Sequence, residues 1–364
     1  MKRDFICGLD IGEHKSCASC GVIQPNGKID ILGSQTIASE GIAGGRIIDE
    51  RKVSACIRDV IKRLHKICGI KVRRIYVNIN SPDLRVKGVG EKVALDRRVV
   101  YLKESRGDIV TVSALIPTIR SFVKCIKDAG LALEGIVPSG CAQALGFFRD
   151  IKGSSGKRSR VLIDAGAGLT KINLFKDGLI RDIVTLPLGA QAITEDVAVK
   201  LKLSFDCAEE AKVKYGRVHF ERAPVDQKII VKDKLLTRVI ERRQLDEIIL
   251  PRVDYLLQKI KKALRALDCR DEEINELIIG GAGAMLEGFL ERAQRILEKP
   301  VKMGFLYAVN DSRIQSQSAL YATSIGLIHY GFKNKGKKVS LEALESFLLK
   351  RIANRVKTLY REYF

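Results

Sequence analysis

Three glycine-containing turns hold the residues in this chain best suited to chemistry. They are Asp10-Ile11-Gly12, Asp164-Ala165-Gly166-Ala167-Gly168-Leu169-Thr170 and Gly280-Gly281-Ala282-Gly283-Ala284, and each follows an apolar run. A glycine turn at a strand end lets backbone N–H groups approach a phosphate without a Cβ in the way. Carboxylates beside two of the turns, Asp10 and Asp164, suit hydrated Mg²⁺, which takes one or two carboxylates together with phosphate oxygens. None of the turns ends in the Gly-Lys-Ser/Thr of a Walker A loop. One such turn is ordinary in an α/β chain; three in this order are specific. Glu209 and Lys212 lie three apart on a predicted helix and share a face, which in isolation reads as a solvated ion pair. Cys17-x-x-Cys20 has no second pair and no histidine nearby, so these thiols read as small buried residues on a strand rather than metal ligands.

The elements that must position these residues occur twice. Phe5 to Asp10, Ser16 to Ile23 and Ile29 to Ile37 read as three strands, with Asn26-Gly27 predicting a two-residue hairpin turn. Arg160 to Phe175 and Leu179 to Leu186 repeat the pattern, with Asp177-Gly178 as the hairpin. The two copies stand 154 positions apart, as Asp10 and Asp164 illustrate. This is the duplication of a domain, and the alternation of strands with helices makes the fold α/β. Between the copies, Arg51 to Cys68 is an amphipathic helix whose stripe is Val53, Ile57, Val60, Ile61, Leu64 and Ile67. Later helices are predicted over Ala190–Leu201, Phe205–Tyr215, Arg243–Leu267, Glu287–Leu297 and Gln317–Tyr330, with a buried strand over Ile274–Ile279. The pattern divides the chain into 1–80, the first lobe; 81–137, an insertion; 138–186, the first lobe continued with the second phosphate turn; 187–330, a second lobe; 331–339, a basic linker; and 340–364, a terminal helix.

Composition narrows the function class. The 364 residues carry 64 Lys plus Arg against 43 Asp plus Glu, a formal charge of +21, and are 46% apolar. That apolar share excludes a disordered polar chain. No apolar run is long enough for a membrane helix, and the opening Met1-Lys2-Arg3-Asp4-Phe5 leaves no room for a signal-peptide core. The scattered, odd-numbered cysteines fit no secreted disulfide framework. The expectation is a cytoplasmic protein. A charge of +21 first suggests nucleic acid, but the chain has no Trp, only 6% aromatics and no finger, RNP or basic-zipper pattern, so no nucleic-acid partner is expected. The charge is instead local. Residues 51–74 hold nine Lys or Arg and one Asp, and residues 333–364 hold nine Lys or Arg and three Glu. In that last stretch Leu341, Leu344, Leu348, Ile352, Val356, Leu359 and Tyr363 recur at helical spacing beside Lys350, Arg351, Arg355, Lys357 and Arg361. Such a helix suits an anionic lipid interface; the alternative is docking on the body or in a partner's groove.

Taken together, these motifs resemble the actin-like ATPase superfamily and, within it, the bacterial cell-division FtsA family. The resemblance covers nearly the whole chain. It runs through Gly8-Leu9-Asp10-Ile11-Gly12 with Lys15, the stretch Ser39 to Asp49, Asp164 to Thr170, and Leu188-Gly189-Ala190 through Ala198. It continues through Ala208 to Gly216, Val239-Ile240-Glu241, Gly280 to Ala284, and Tyr321 to Leu327. It implies a duplicated actin-like (ribonuclease H-like) fold with two lobes around a nucleotide cleft, an FtsA-type extra subdomain and a C-terminal amphipathic helix. It implies ATP and Mg as cofactors, with Asp10 and Asp164 serving the metal through water. Gly12, Lys15, Gly166, Gly168, Thr170 and Gly189 would hold phosphates, Glu209 and Lys212 the nucleoside, and Gly280, Gly281, Gly283 and Ala284 the adenine and ribose. It also implies FtsZ or related division proteins as partners, self-association into filaments, and peripheral attachment to the cytoplasmic side of the inner membrane through Leu348, Ile352, Arg355, Val356, Leu359, Arg361 and Tyr363.

The sequence departs from the family pattern in places. Glu13 and His14 stand where small hydroxyl residues are usual, Lys171 replaces an Asp, and Val137-Pro138 lacks the Glu that usually precedes that proline. ATP binding with slow or absent hydrolysis is the expectation. The stretch 81–137 is shorter than the family's extra subdomain, which serves filament and partner contacts. The alternative reading is a pilus- or secretion-assembly adaptor of the actin fold, similar to PilM, which recruits a membrane protein's tail. A sugar or acetate kinase on the same fold would need a catalytic carboxylate for a substrate hydroxyl, and none stands out.

Overall fold

The computed structural model describes residues 5–88, 91, 94, 96–105, 108–148, 159–218, 227–233, 236–267, 274–307 and 309–334. The contacts group the chain into two units. Unit 1 is Met1–Lys157, Phe175–Ile183 and Phe305–Phe364; unit 2 is Arg158–Leu174 and Val184–Gly304.

Unit 1 opens with β1 (Ile6–Ile11), β2 (Lys15–Ile23), β3 (Ile29–Ala38) and the short pair β4 (Ile42–Ala43) and β5 (Arg46–Ile47), followed by α1 (Glu50–Cys68) and β6 (Arg74–Ile79). Then come β7 (Arg85–Lys87), β8 (Arg97–Ser105), β9 (Asp108–Leu115), α2 (Ile116–Asp128), β10 (Ala132–Pro138) and α3 (Ser139–Phe147). The main sheet has the order β3-β2-β1-β6-β10, antiparallel across the first three strands and parallel from β1 to β10. Strands β7, β9 and β8 form a separate antiparallel sheet within the inserted stretch.

Local chemistry sets the limits of α1. The Asp49 side chain accepts from Arg51 N and Lys52 N, and Gly69 at φ 68° ends the helix in the left-handed region. Val53, Ile57, Val60 and Leu64 are buried as the periodicity predicts, but Ile67 is 55% exposed because the last turn reaches the edge of the sheet. The first hairpin also differs from expectation. Gln24 and Lys28 close a loop in which Pro25 precedes Asn26 and only Gly27, at φ 80°, is left-handed. A proline at the first corner favours an ordinary turn followed by a left-handed glycine over the tighter two-residue form. The second hairpin matches the reading: Asp177 and Gly178 have φ of 54° and 75°.

Unit 2 carries β11 (Ser159–Ala165), β12 (Thr170–Lys176) and β13 (Leu179–Leu186), of which residues 175–183 group with unit 1, then α4 (Gln191–Leu201), α5 (Phe205–Tyr215), β14 (Lys228–Asp233), β15 (Leu236–Glu241), α6 (Arg242–Arg265), β16 (Ile274–Gly280), α7 (Phe289–Leu297) and β17 (Val301–Met303). Its sheet has the order β13-β12-β11-β16-β17, with β11, β16 and β17 parallel. This repeats the plan of the first sheet: a strand–hairpin–strand–hairpin–strand unit, then parallel strands reached by crossovers. Its core joins Val161, Ile163 and Ile279 of the sheet to Leu245, Ile249 and Val253 of α6.

The chain then closes unit 1 with α8 (Ser312–Ser316) and α9 (Ser318–Lys333). The linear division assigns residues up to 330 to the second lobe, whereas α9 packs on unit 1. The cause is steric. A Cβ at Gly326 would lie 1.8 Å from Ala142 O, so α9 and α3 meet backbone to backbone. Ser324 Oγ lies 2.9 Å from Ser19 Oγ of β2. No helix among the described residues is long and apolar enough to cross a membrane. The predicted terminal helix 340–364, with its membrane-facing residues, lies outside the described residues, as does most of the Lys152 to Ser159 turn.

Candidate functional site

In unit 1, β1 delivers Asp10 to the end of the sheet, and the chain turns at Gly12. Gly12 N donates to Lys15 O at 3.0 Å, and a Cβ on Gly12 would lie 2.8 Å from that oxygen. Asn78 of the neighbouring β6 fixes this turn. Its Oδ1 accepts from Ile11 N at 2.7 Å, and its Nδ2 donates to Asp10 Oδ1 at 2.6 Å and to Ser139 Oγ at 3.1 Å. Asn78 and Ser139 are almost wholly buried. Lys15 extends its ammonium to Leu320 O at 2.7 Å. Glu13 accepts from Gly45 N at 3.3 Å, which gives its carboxylate a backbone partner.

In unit 2 the same geometry recurs. Gly166 N donates to Leu169 O at 3.0 Å, and a Cβ on Gly166 would again lie 2.8 Å from that oxygen. A glycine is needed at both turns for the same reason. Around this second turn the structure gathers most of the predicted residues into one wall. Asp164 pairs in register with Gly280, and Gly281, at φ 86°, would place a Cβ 2.7 Å from Asp164 Oδ1. Gly189 lies so close that a Cβ would meet Ala167 O at 2.1 Å, and Ala190 N and Gln191 N donate to Gly166 O and Ala167 O. Gly283 approaches Ala165 O and the Ala190 side chain. Gly168 is half-buried in the turn, and Ala284 is buried beside it in sequence to Gly283.

The pair on α5 is more than a solvated ion pair. Lys212 is 5% exposed, and its Nζ donates to Glu209 Oε2 at 2.6 Å, Thr194 Oγ1 at 2.8 Å and Ala190 O at 3.2 Å. Those three acceptors match the three donors of an ammonium. Thr194 also donates to Glu209 Oε2. Burial pushes the Lys212 pKa down, and the neighbouring Glu209 opposes that shift. The network therefore ties α5 to the first turns of α4, which in turn hold the Gly166–Ala167 carbonyls.

One polar atom bears on whether this wall suits a bound phosphate group. Thr170 follows the second glycine turn and is fully buried, yet its Oγ1 has no hydrogen-bond partner. A buried hydroxyl left unpaired is costly, and a ligand oxygen at the turn would satisfy it. Asp10 in unit 1 and Asp164 in unit 2 each place a carboxylate beside a glycine turn, the donor type that Mg²⁺ takes together with phosphate oxygens. Lys171, next in sequence, is 2% exposed. Val137, where the family pattern has Glu, is fully buried in β10.

Comparison with known proteins bears on this arrangement. Residues 161–326 match the family model for cell division protein FtsA. The chain is 24% identical to the cell division protein FtsA of Pseudomonas aeruginosa over an alignment 384 positions long, covering 93% of this chain and 91% of that protein. The chain is similar to FtsA proteins over most of its length. Among solved structures, it is similar to a chain of the PilM-PilN type IV pilus biogenesis complex, with TM-score 0.68, 15% identity, and 90% and 99% of the two chains covered. It is also similar to MreB5 of Spiroplasma citri bound to ADP, with TM-score 0.59, 13% identity, and 91% and 96% covered. The fold is actin-like.

Sequence reasoning missed Asn78, Ser139 and Thr194. Asn78 did carry a signal: it is the one polar residue inside the apolar run Ile75-Tyr76-Val77-Asn78-Ile79. The CxxC pair is resolved by strand geometry. Positions three apart on a strand face opposite ways, and Cys17 meets Ser324 of α9 while Cys20 pairs with Gly33, which faces α1. No metal-binding cluster of His, Cys, Asp or Glu occurs among the described residues. Away from the glycine turns, unit 2 has an open groove of about 590 Å³ whose lining includes Lys200, Lys202, Arg238, Val239, Gln244 and Glu247.

Proposed function

We propose that this protein is an ATP-binding actin-fold adaptor of bacterial cell division that links FtsZ, or a complex containing it, to the cytoplasmic face of the inner membrane. The observation that carries the reading is the repeated glycine turn, Gly12–Lys15 and Gly166–Leu169, with an aspartate two residues before each and the orphaned Thr170 hydroxyl after the second. Mg²⁺ would neutralise the phosphate charge; Asp10 and Asp164 would hold it through water. Gly12, Gly166, Gly168, Gly189 and Thr170 would bind phosphates. Glu209, Lys212 and Gly280 to Ala284 would bind the nucleoside, as the wall around Ala190 supports. Val137, buried and apolar, has no group to orient an attacking water, which supports slow or absent hydrolysis.

The cationic groove of Lys200, Lys202 and Arg238 suits an acidic extended segment of a protein partner. The basic segment 340–364 suits anionic lipid. The second reading, a pilus- or secretion-type adaptor, is favoured by the fold likeness to the PilM-PilN chain, and it predicts capture of a protein tail without lipid. Flotation with anionic vesicles, with and without FtsZ and ATP, separates the two. The full chain is expected to float and to carry FtsZ with it, and deletion of residues 340–364 is expected to abolish both. Unchanged flotation of the deletion variant would sink the membrane reading. Absence of ATP binding by a fluorescent analogue would sink the nucleotide reading.

A further inference from the structure

One end of unit 1 gathers cations that take no part in the glycine turns or their supports. The last turns of α1 and the loop that follows place Lys62, Arg63, Lys66, Lys71, Arg73 and Arg74 on the surface. Arg63 is held by Asp59 and Arg74 by Glu134, at 3.0 and 3.2 Å. Lys62, Lys66, Lys71 and Arg73 have no ion pair among the described residues. In their midst Ile67 is 55% exposed, although the helix periodicity predicts it inside. There is no aromatic side chain in residues 51–74 other than His65.

The position of this patch follows from the topology. Helix α1 leads into β6 at Arg74, so its C-terminus lies where β6 begins. Ala132 N donates to Arg73 O at 2.9 Å, so β10 begins there too. Helix α9 runs to the same end. The Tyr330 ring lies 5.9 Å from the Tyr76 ring, and a Cβ on Gly331 would touch the Tyr76 ring and Ile6 at the start of β1. The chain therefore leaves the described part of unit 1, after Asn334, at the end of the sheet that carries the patch. The phosphate turn at Gly12 is at the opposite end of β1. What leaves at Asn334 is the segment that holds nine Lys or Arg against three Glu from position 333 onward.

We infer that the end of unit 1 formed by Lys62, Lys66, Ile67, Lys71 and Arg73 is a second membrane contact, made by the folded body on the anionic phospholipid bilayer. Charge complementarity selects an anionic surface, and the exposed isoleucine among the cations selects lipid. A nucleic-acid surface would be expected to add stacking aromatics, which are missing here. The inference goes beyond the proposed tether by the terminal segment, and each can fail without the other. With both contacts engaged, the body would be held with its phosphate turn pointing away from the bilayer.

The test uses the full chain and partition onto mixed phosphatidylcholine–phosphatidylglycerol vesicles, with pure phosphatidylcholine as reference. Each surface cation is worth about fivefold in partition, from roughly 1 kcal/mol per Lys or Arg at an anionic membrane. The variant Lys66→Gln/Lys71→Gln/Arg73→Gln is therefore expected to bind the mixed vesicles ~100-fold less well and to melt as the unaltered chain does, since all three side chains are exposed. A control variant with the same charge change on α6 of unit 2, Lys259→Gln/Lys262→Gln/Arg265→Gln, is expected to lose only a few-fold. Equal losses in the two variants, or no loss in either, overturn the inference. Loss of duplex DNA retention with lipid partition intact also overturns it, in favour of nucleic acid. Ile352→Glu/Val356→Glu reads the terminal segment separately: if this variant detaches and the patch variant does not, the tether stands and the body contact falls.

Discussion

Asn78 of β6 ties the end of β1, where the first glycine turn begins, to Ser139 of α3, and its amide is saturated by Asp10, Ile11 and Ser139. Asn78→Ala strands the Ile11 N–H in a buried setting, so a loss of about 2 kcal/mol in urea unfolding is expected. Fluorescent-ATP affinity should fall with it, because Asp10 loses its fixed orientation. Lys212→Met leaves the Glu209 carboxylate without its cation, which should cost about 2 kcal/mol by the same measurement. His329 gives a pH prediction. Its neutral ring donates from Nδ1 to Leu145 O at 3.1 Å, and burial first, then the nearby Lys333, lowers its pKa below the ordinary 6.5. Below pH 6.5 the unfolded chain takes up a proton that the folded chain refuses, so stability should fall as pH drops through 6.5 and level off under the folded pKa. His329→Gln should flatten that slope in thermal melts taken across the range.

At the scale of elements, the contact between α9 and α3 decides which unit the C-terminal part of the described chain joins. Gly326 permits it, since any side chain would enter the Ala142 carbonyl. Gly326→Ala is expected to cost about 3 kcal/mol or to prevent folding, read by calorimetry, because overpacking against backbone has no side chain that can move aside. The motif Tyr321-Ala322-Thr323-Ser324-Ile325-Gly326-Leu327 was legible as a family resemblance, but its purpose was not. The structure explains it as packing: Ser324 meets Ser19, Gly326 meets Ala142, and the Ser324 carbonyl sits where a Cβ on Gly8 would lie. The two glycine turns were legible because a turn at a strand end leaves a local signature. The β14–β15 hairpin was not, because among the described residues its two strands pair with each other alone and the run of Lys, Asp and Arg around them obscures their alternation.

For the whole molecule, two stretches, residues 51–74 and 333–364, hold +8 and +6 of the formal charge of +21, and in the proposed reading both meet anionic lipid. Flotation of the full chain should weaken as salt rises from about 0.1 M to 1 M, where the Debye length shrinks from about 10 Å to 3 Å. An apolar contribution from the terminal segment should keep part of the binding at high salt. Retention that salt leaves untouched would contradict a charge-led attachment. The sequence by itself determined the duplication, the three glycine turns, the two acidic residues beside them and the amphipathic end, because each rests on residues close together in the chain. Only the tertiary structure decided that Lys212 is a buried support for α4, that Asn78 holds Asp10, that Cys17 and Cys20 face opposite ways, and that α1 and α9 end together. Those facts depend on pairing between residues far apart in sequence, and pairing of that kind leaves no local trace for composition or periodicity to reveal.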